Sequence, residues 1–572
     1  MMDDELQRAI RQAAEKHALL NAVKYESAAE VSAVMGPLMS ENPEFRSQGG
    51  KVSRVVSDVV EDVNSQTPTE RRAHLEETAP EALAELEVES DEPTHTLPAL
   101  PGDTSQVRMR AAPNPNGPWH IGHGRMPAVI GTYKDRYDGS FIVRFDDTDP
   151  ETKRPDLDAY DAILDDINYL GFEPDDVIYA SDRLETYYEH AREVIAAEGA
   201  YTCSCSGEHF SALKNNAESC PHRQKSVTKT QEEFERMVAG EYTAGEMVLR
   251  IRTDINHKNP ALRDWVGFRQ IDTPHPRESA SEYRCWPMLD FQSAIDDHLT
   301  GVTHIIRGID LQDSAKRQEF LYDYLEWDYP EVVHWGHIQV DAYDIALSTS
   351  TIKQEIEAGR LNGWGDPRAP TIQSLRRRGI KGDAIVEAMN ELGTSTNNVE
   401  LSMSSIYANN RSQVDRDADR YFMIRDGTAF SFSDGPPHAT PPLHPDADRG
   451  TRTIPVGDSI QIESADVPQE GERVWLKSLG CVRRTGDQLI PTGDELEVVQ
   501  SGAVDVIHWV DTESAIPVEM HTPEGTVSGV AEPDFHQTSP DTVVQFERIG
   551  FARVDDHTEH SARPSVVYWT HS

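Results

Sequence analysis

The chain has 572 residues, with 54 Lys or Arg against 99 Asp or Glu, so its formal net charge is −45. This length exceeds a single domain and excludes both a disordered tail and a disulfide-stapled mini-scaffold. The five cysteines do not form a disulfide framework, no basic stretch precedes an apolar one at the start, and no window approaches the ~20 apolar residues of a membrane span. We therefore expect a soluble, cytoplasmic protein.

Acidic residues dominate the surface chemistry, and only 13 of the 54 cations are lysine. Such a charge ordinarily argues against a nucleic-acid partner, because polyanion binding needs basic patches. In molar salt, however, the Debye length is about 3 Å, so self-repulsion is screened and a carboxylate-rich surface stays hydrated. The composition is similar to that of proteins from organisms with a molar-salt cytoplasm. A polyanionic partner would then be recognised by short-range contacts.

The pattern along the chain predicts a multidomain α/β protein. Helical periodicity at the start is followed by a proline-rich stretch, and then short apolar runs alternate with helical ones, as in a parallel sheet. The C-terminal region has short β-rich runs at barrel-like spacing. The predicted segments are an N-terminal helical extension (1–90), a linker (91–104), the first half of a Rossmann-type catalytic domain (105–204), an insertion (205–283), the second half of that domain (284–345), a loop with a helical connecting subdomain (346–415) and a β-barrel region (416–572).

Five apolar runs predict the strands of the parallel sheet, at 107–112, 141–145, 177–180, 304–308 and 332–340. A Pro/Gly turn follows the first strand, and His120-Ile-Gly-His123 then opens a helix. A helix N-terminus offers unpaired N–H groups to phosphates, and two imidazoles one turn apart can hydrogen-bond phosphoryl oxygens. Gly122 leaves room for a nucleotide beside the backbone. Taken alone, the tetrapeptide also fits a polar helix face or an accidental metal pair.

This strand, turn and His-Ile-Gly-His segment resemble the first signature of class I aminoacyl-tRNA synthetases. Arg144-Phe-Asp-Asp-Thr-Asp-Pro150 is similar to a segment of their glutamyl/glutaminyl branch, and the β-rich C-terminal region is similar to the barrels of its archaeal/eukaryotic type. The resemblance covers about 105–572 and implies ATP and Mg²⁺ as cofactors, with both signature histidines as catalytic residues. The ATP contacts that it implies are Pro113, Asn114, Pro115, Gly117, His120, Gly122 and His123, together with Leu347, Ser348 and Lys353.

The same resemblance implies an amino-acid pocket, in which Asp146 holds the α-ammonium and Arg110 contacts a substrate carboxylate. Arg307 stands where glutamyl enzymes have arginine and the glutaminyl branch lacks it. A planar guanidinium can grip a γ-carboxylate bidentately, whereas an unpartnered buried carboxylate costs several kcal/mol. Trp286 and Ser293 depart from the family pattern at this pocket.

The second class I signature is a Lys-Met-Ser-Lys-Ser loop over the ATP triphosphate, and Ala346-Leu-Ser-Thr-Ser-Thr-Ile-Lys353 corresponds to it. Leu347, Ser348 and Ser350 fit the signature, and the two serines are predicted catalytic residues. Both signature lysines are absent, although one donor of this kind is typically worth about 3 to 4 kcal/mol. Lys353, or a backbone N–H cradle with Mg²⁺, is the candidate replacement.

A basic run, Arg376-Arg377-Arg378, follows this loop, and the tRNA backbone is its predicted ligand.

A cysteine cluster marks the insertion. Cys203-Ser-Cys205 is followed after fourteen residues by Cys220-Pro-His222, which together provide three thiolates and an imidazole. Such a set suits tetrahedral Zn²⁺, and a closed set of four ligands is structural. The alternative is a group of buried, reduced cysteines.

Together these residues predict an enzyme that activates L-glutamate with ATP and transfers it to the 3′ end of tRNA(Glu). We expect a monomer without a DNA or membrane partner. The nearest alternative is the sister activity with glutamine, which a neutral residue at position 307 would have favoured. A second alternative is a catalytically silent tRNA-binding paralogue, because the loop lysines are missing. The sequence leaves open whether tRNA(Gln) is also charged.

Overall fold

The computed structural model describes residues 4–24, 29, 31, 34, 35, 38, 49–80, 97–493, 499, 504–557 and 563–572. The chain forms two compact units, residues 1–96 and residues 97–572. Of the predicted linker, residues 91–96 lie outside the described residues, as does the end of the predicted extension, 81–90. Among the described helices, none has the length and apolar character that crossing a membrane requires.

The first unit is helical, as its periodicity predicts. Its long helices are α1 (Asp4–Lys24), α2 (Gly49–Asn64) and α3 (Pro68–Thr78). Thr67 caps α3 through a reciprocal capping box with Glu70. Apolar side chains at three- and four-residue spacing face one another and are buried, namely Ile10, Ala14, Ala18, Val52, Val56, Val59 and Val63. This unit therefore has a core of its own.

The second unit begins with a region that alternates strands and helices. Its strands are β1 (Arg108–Ala111), β2 (Ser140–Phe145), β3 (Asp176–Tyr179), β4 (Ala200–Cys203), β5 (Val248–Ile251), β6 (Val266–Gln270), β7 (Cys285–Pro287), β8 (His304–Gly308), β9 (Glu331–Trp335), β10 (Ile338–Val340) and β11 (Val399–Leu401). Its helices are α4 (Arg125–Arg136), α5 (Leu157–Tyr169), α6 (Leu184–Ala196), α7 (Gly207–Asn215), α8 (Val227–Val238), α9 (Leu289–Leu299), α10 (Gln312–Leu325), α11 (Thr349–Glu357), α12 (Ile372–Arg377), α13 (Gly382–Glu391) and α14 (Met403–Val414).

Five of these strands form the predicted parallel sheet, in the order β3-β2-β1-β8-β9. Buried side chains such as Met109, Phe141 and Val143 pack against helix residues such as Ile130 and Ile163. The strand order changes direction between β1 and β8, and ligands of such sheets bind outside the carboxyl ends of the strands at this point.

The predicted run 332–340 is not one strand. It divides into β9, which belongs to the parallel sheet, and β10, which pairs with β11 in a separate two-stranded sheet. Gly336 lies at the break, where a Cβ atom would come within 1.9 Å of the Asn397 carbonyl oxygen. The prediction of a single strand was wrong because the run is interrupted where Asn397 approaches Gly336. This residue is about 60 positions further along the chain, so the local pattern does not reveal the contact.

The insertion is built on an antiparallel sheet in the order β4-β5-β6-β7. Its first and last strands lie outside the predicted limits 205–283, which the sequence placed by polarity. Both strands are buried and apolar, so their sequences look like strands of the central sheet. Only the observed pairing assigns them to the insertion. Cys203 therefore belongs to the sheet of the insertion.

Two seven-stranded, barrel-like sheets form the C-terminal region. The strands there are β12 (Arg420–Tyr421), β13 (Met423–Ile424), β14 (Gly427–Phe432), β15 (His438–Ala439), β16 (Ile454–Pro455), β17 (Ser459–Glu463), β18 (Arg473–Leu476), β19 (Gly480–Thr485), β20 (Gln488–Gly493), β21 (Asp505–Ile507), β22 (Trp509–Asp511), β23 (Ile516–Thr522), β24 (Gly525–Ala531), β25 (Val543–Phe546), β26 (Gly550–Asp556) and β27 (Ser565–His571). One sheet has the order β21-β18-β19-β20-β14-β17-β22 and the other β12-β25-β26-β27-β23-β24-β13, while β15 and β16 pair in a separate two-stranded sheet. Each sheet has its own apolar core, as the predicted pair of barrels requires.

Candidate active site

A cavity of about 410 Å³ opens at the carboxyl ends of the parallel strands. Its lining includes the end of β1, the residue after β2, the end of β8 and the segment after β9. Seven predicted site residues line it, namely Arg110, His120, Gly122, His123, Asp146, Arg307 and Leu347. Residues that are more than 200 positions apart in the chain thus meet at the crevice that the strand order creates.

The two signature histidines lie side by side at this cavity. His120 precedes a 3₁₀ turn, Ile121–Gly124, that leads into α4. The two rings stack with centroids 3.7 Å apart, and burial lowers the pKa of His120 to about 4. Burial, and then the neighbouring ring, lower the pKa of His123 well below its ordinary value. Both imidazoles are therefore neutral near pH 7, and their Nδ1 atoms have no hydrogen-bond partner within the described residues.

The Pro/Gly turn holds the strand ends together. The Asp146 N–H donates to the Pro113 carbonyl and the Asn114 side chain donates to the Asp146 carbonyl, each over 2.9 Å. The N–H of Asp156, at the start of α5, donates to the Pro115 carbonyl over 2.8 Å. At Gly117, a Cβ atom would lie 2.6 Å from the Thr349 methyl carbon, so the turn needs glycine where the second signature packs against it.

A network of buried charges lies against the cavity. Arg110 donates from Nε and Nη2 to the two carboxylate oxygens of Asp297, over 3.1 and 3.4 Å. Arg144 donates from Nη1 to Asp297 over 2.6 Å and from Nε to Asp146 over 2.7 Å. Burial alone would raise the pKa of Asp297, but the guanidiniums of Arg110, Arg144 and Arg307 hold it below the ordinary value. Asp146 also accepts from Gln292, which fixes its carboxylate at the cavity wall.

Arg307 stands beside this network with unused donors. Its Nη1 donates to Gln318 Oε1 over 3.0 Å, and its Nη2 lies 3.9 Å from the nearer oxygen of Asp297, beyond hydrogen-bond range. Gln318 in turn donates to Ser293 and accepts from Tyr329. Nε and Nη2 of Arg307 have no hydrogen-bond partner among the described residues, although its side chain is only 5% exposed. Such a group suits an anionic ligand in the cavity.

The second signature approaches the cavity through Leu347 alone. Ser348 caps α11, and its hydroxyl lies 3.0 Å from that of Ser350. Lys353 donates to the Asp156 carboxylate over 3.0 Å, in a pair that is close to half exposed on both sides. In this structure the loop is therefore joined to the start of α5, and its lysine is not among the residues that line the cavity.

The cysteine cluster closes around one point. The donor atoms of Cys203, Cys205, Cys220 and His222 all lie within 4.8 Å of one another. The sulfurs of Cys203 and Cys220 are 3.8 Å apart, which matches two Zn–S bonds of about 2.3 Å at a tetrahedral angle. His222 Nδ1 lies 3.6 Å from Cys203 Sγ and 3.4 Å from Cys205 Sγ. The donor set and its spacing therefore fit a zinc ion.

Family profiles match nearly all of the second unit. Residues 106–416 match "tRNA synthetases class I (E and Q), catalytic domain", and residues 418–500 and 506–555 match anti-codon binding domains of the same class. The chain belongs to the class I tRNA synthetases of the E and Q group. The first profile spans the cavity and its charge network, and the other two span the barrel-like sheets.

Similar proteins named "Glutamate--tRNA ligase" match this synthetase over almost its entire length. One from Haloquadratum walsbyi is 66% identical and one from Haloarcula marismortui is 61% identical, each with 100% of both chains covered. One from Methanothrix thermoacetophila is 42% identical over 98% of this chain and 99% of its own. A solved glutamate tRNA ligase from Elizabethkingia meningosepticum, in complex with its amino acid, is 18% identical with a TM-score of 0.36, covering 54% of this chain and 69% of that one.

The basic run of this synthetase does not act as one surface. Arg378 is fully buried and donates to the carbonyls of Trp569 and Thr570 and to the Tyr407 hydroxyl, so it joins the connecting helices to the last strand. The prediction that Arg378 binds RNA is wrong, because its donors are used within the protein. Arg376 pairs with Asp165 at the surface, and Arg377 lies over the ring of Tyr568.

The residues of this site that were missed from the sequence include Asp297, Gln292 and Gln318. Asp297 follows Asp296 in an otherwise ordinary helix of an acidic protein, so its charge gave no distinguishing signal. Eight of the eleven residues of α9 are buried, Asp290 and Asp296 among them, so burial alone does not distinguish Asp297 either.

Proposed function

We propose that this chain is a glutamate–tRNA ligase. It would use ATP to join the α-carboxylate of L-glutamate to AMP and would then transfer the glutamyl group to the terminal ribose of tRNA. The observation that carries the proposal is the buried charge network, in which two arginines, Arg110 and Arg307, line the same cavity as the carboxylate of Asp146. The names of the full-length relatives support the same reaction.

The network suggests how glutamate is held. Asp146 lines the cavity and would accept the α-ammonium group, while Arg307 would use its unpartnered Nε and Nη2 donors on the γ-carboxylate. Arg110 contacts the substrate carboxylate from the end of β1. Removing a carboxylate from water costs several kcal/mol unless it is paired, so each negative group of the substrate needs a guanidinium.

The first step is an in-line displacement. An oxygen of the glutamate α-carboxylate attacks the α-phosphorus of ATP, the bond to the bridging oxygen breaks, and pyrophosphate leaves. The neutral rings of His120 and His123 would donate hydrogen bonds to phosphoryl oxygens as charge develops there. Gly122 keeps the approach open, since its neighbour His120 is already 3.2 Å from where a Cβ atom would lie. Mg²⁺, when bound, would neutralise the phosphate charges.

In the second step, a hydroxyl of the terminal ribose attacks the carbonyl carbon of glutamyl-adenylate and AMP leaves. The protein contributes positioning and charge stabilisation rather than a covalent intermediate.

We propose that Ser348 and Ser350 support the departing phosphates with their hydroxyls and that Lys353 exchanges Asp156 for the triphosphate when the loop closes. The contacts of Pro113, Asn114, Pro115 and Gly117 with ATP are part of the same proposal.

The cysteine set would hold a structural zinc ion. All four donors come from the protein, so no position is open for a substrate, and the ion would brace the insertion. The insertion is proposed to contact the acceptor arm, and Arg376 and Arg377 the tRNA backbone. We propose that the enzyme works in molar salt in the cytoplasm, as a monomer, and reads tRNA(Glu) through short-range contacts of its barrels.

The test is ATP-dependent charging of tRNA in molar KCl, with labelled glutamate and labelled glutamine in parallel. Incorporation of glutamate supports the proposal, and incorporation of glutamine would assign the sister activity. The missing loop lysines favour one further candidate, a silent tRNA-binding protein. That candidate predicts tRNA binding without charging and without pyrophosphate exchange when tRNA is present.

A further inference from the structure

Asp297 is the common partner of three arginines at the amino-acid pocket. Its carboxylate is 1% exposed and accepts from Arg110 and Arg144, while Arg307 lies 3.9 Å away. It does not line the cavity itself, so it has no direct contact with a ligand there. A buried acid with three guanidiniums around it acts through the groups that it holds.

The charges of this pocket have a definite sum. Arg110, Arg144 and Arg307 contribute three positive charges, and Asp146 and Asp297 contribute two negative ones, which leaves one positive charge. The other buried carboxylates nearby have their own cations. Asp296 pairs with Arg183 over 2.6 Å and lies farther, 3.9 Å, from Arg144, and Asp290 pairs with Arg317 over 2.7 Å, so neither pair changes the sum.

Arg125, a further cation of the cavity wall, is turned away from this set. Its guanidinium lies over the Trp335 ring and donates to the carbonyls of Gly336 and Gly393. Of the three arginines around Asp297, Arg110 and Arg307 line the cavity, and Arg144 adjoins it through its hydrogen bond to Asp146.

We propose that Asp297 is the positioning residue that sets both the geometry and the net charge of the pocket, so that one zwitterionic glutamate of net charge −1 neutralises it. This inference rests on the proposed function. Glutamine has no net charge and would leave one buried positive charge unbalanced, which is unfavourable in a site of low polarity. Asp297 would thus contribute to the choice of glutamate without touching it.

The charge sum makes a prediction that a purely structural role does not make. Glutarate has both carboxylates of glutamate but lacks its ammonium group, so its net charge is −2. In the native pocket it leaves an excess negative charge. In Asp297→Asn the pocket has a net charge of +2, which glutarate balances and glutamate does not.

The experiment measures the KM for glutamate in tRNA charging and the Ki of glutarate as a competitor, with the full-length protein in molar KCl. For Asp297→Asn we expect the glutamate KM to rise at least tenfold and the ratio of glutarate Ki to glutamate KM to fall at least tenfold. The matched control is Asp264→Asn in the insertion, which is equally buried but pairs with Arg223 and Tyr201 and does not line the cavity. In this control the ratio should stay within threefold of the native value.

A ratio that stays unchanged in Asp297→Asn, or that falls equally in Asp264→Asn, would overturn the inference. If Asp297→Asn does not fold, Arg144→Gln is the deciding variant. It removes one positive charge and should raise the ratio of glutarate Ki to glutamate KM at least threefold. A ratio that is unchanged or lower overturns the inference. Failure of the native protein to charge glutamate would instead refute the proposed function. Normal charging of glutamate together with an unchanged ratio in the variants would refute this inference alone.

Discussion

Arg307 provides the most direct test of substrate choice. The substitution Arg307→Ala removes a guanidinium at the cavity that has two donors without a hydrogen-bond partner among the described residues. The fold should tolerate it, because Gln318, its hydrogen-bond partner, still accepts from Tyr329 over 2.7 Å. Asp297 likewise keeps both of its closer arginines. The effect should therefore appear in substrate binding and not in folding.

The size of the effect follows from the burial. Removing one partner of a buried charge pair costs about 3 to 5 kcal/mol, because the remaining charge is left without compensation. Arg110 stays nearby and offsets part of this cost, so the lower limit applies. Since about 1.4 kcal/mol corresponds to a factor of ten, we expect the KM for glutamate to rise roughly 100-fold or more.

The assay is tRNA charging over a range of glutamate concentrations, with thermal unfolding and tRNA binding measured on the same preparation. The midpoint of unfolding and the tRNA affinity should stay near the native values. Arg183→Ala is the matched control, since it removes an arginine from the neighbouring carboxylate Asp296 and not from the cavity. A glutamate KM within tenfold of the native value in Arg307→Ala would refute the reasoning.

Three further predictions concern other parts of the chain. Native protein purified without chelator should contain one zinc per chain, and Cys203→Ser should lose both the metal and several degrees of thermal stability; a native stoichiometry near zero would refute the zinc site. Arg378→Ala should lower the free energy of unfolding by about 3 kcal/mol, because it leaves buried carbonyls unpaired. Arg376→Ala should change that free energy by less than about 0.5 kcal/mol and should weaken tRNA binding instead. Equal losses of stability for the two variants in chemical denaturation would contradict this. Burial raises the pKa of Asp166 to about 7 from 3.8, so the folded state binds a proton more tightly than the unfolded one, and stability should fall as the pH rises from about 4 to about 7. Asp166→Asn should flatten that dependence in denaturant titrations and be more stable than the native protein at pH 8, and an unaltered pH dependence would count against the assignment.

Features carried by a few consecutive residues could be predicted from the sequence. The strand, turn and histidine segment from Val107 to His123 has the geometry expected of it, because a turn and a helix start depend on their own residues. The spacing of the cysteines was also enough to predict that their side chains meet. Cys203 and Cys205 are separated by one residue, and both sulfurs lie close to the same nitrogen of His222. The parallel sheet and the barrel-like region follow from periodicity in the same way.

Contacts between distant residues could not be predicted. Arg110 and Asp297 are 187 positions apart, and Arg378 finds its acceptors on a strand 191 and 192 positions later. In a chain with 99 acidic residues, the sequence does not distinguish a buried carboxylate from a solvent-exposed one. The net charge of the protein could therefore be predicted from composition, and the kinds of side chain at its sites from local spacing. Only the packing of the strands decided which charges left water, because the cost of burying a charge depends on the partners that the fold brings to it.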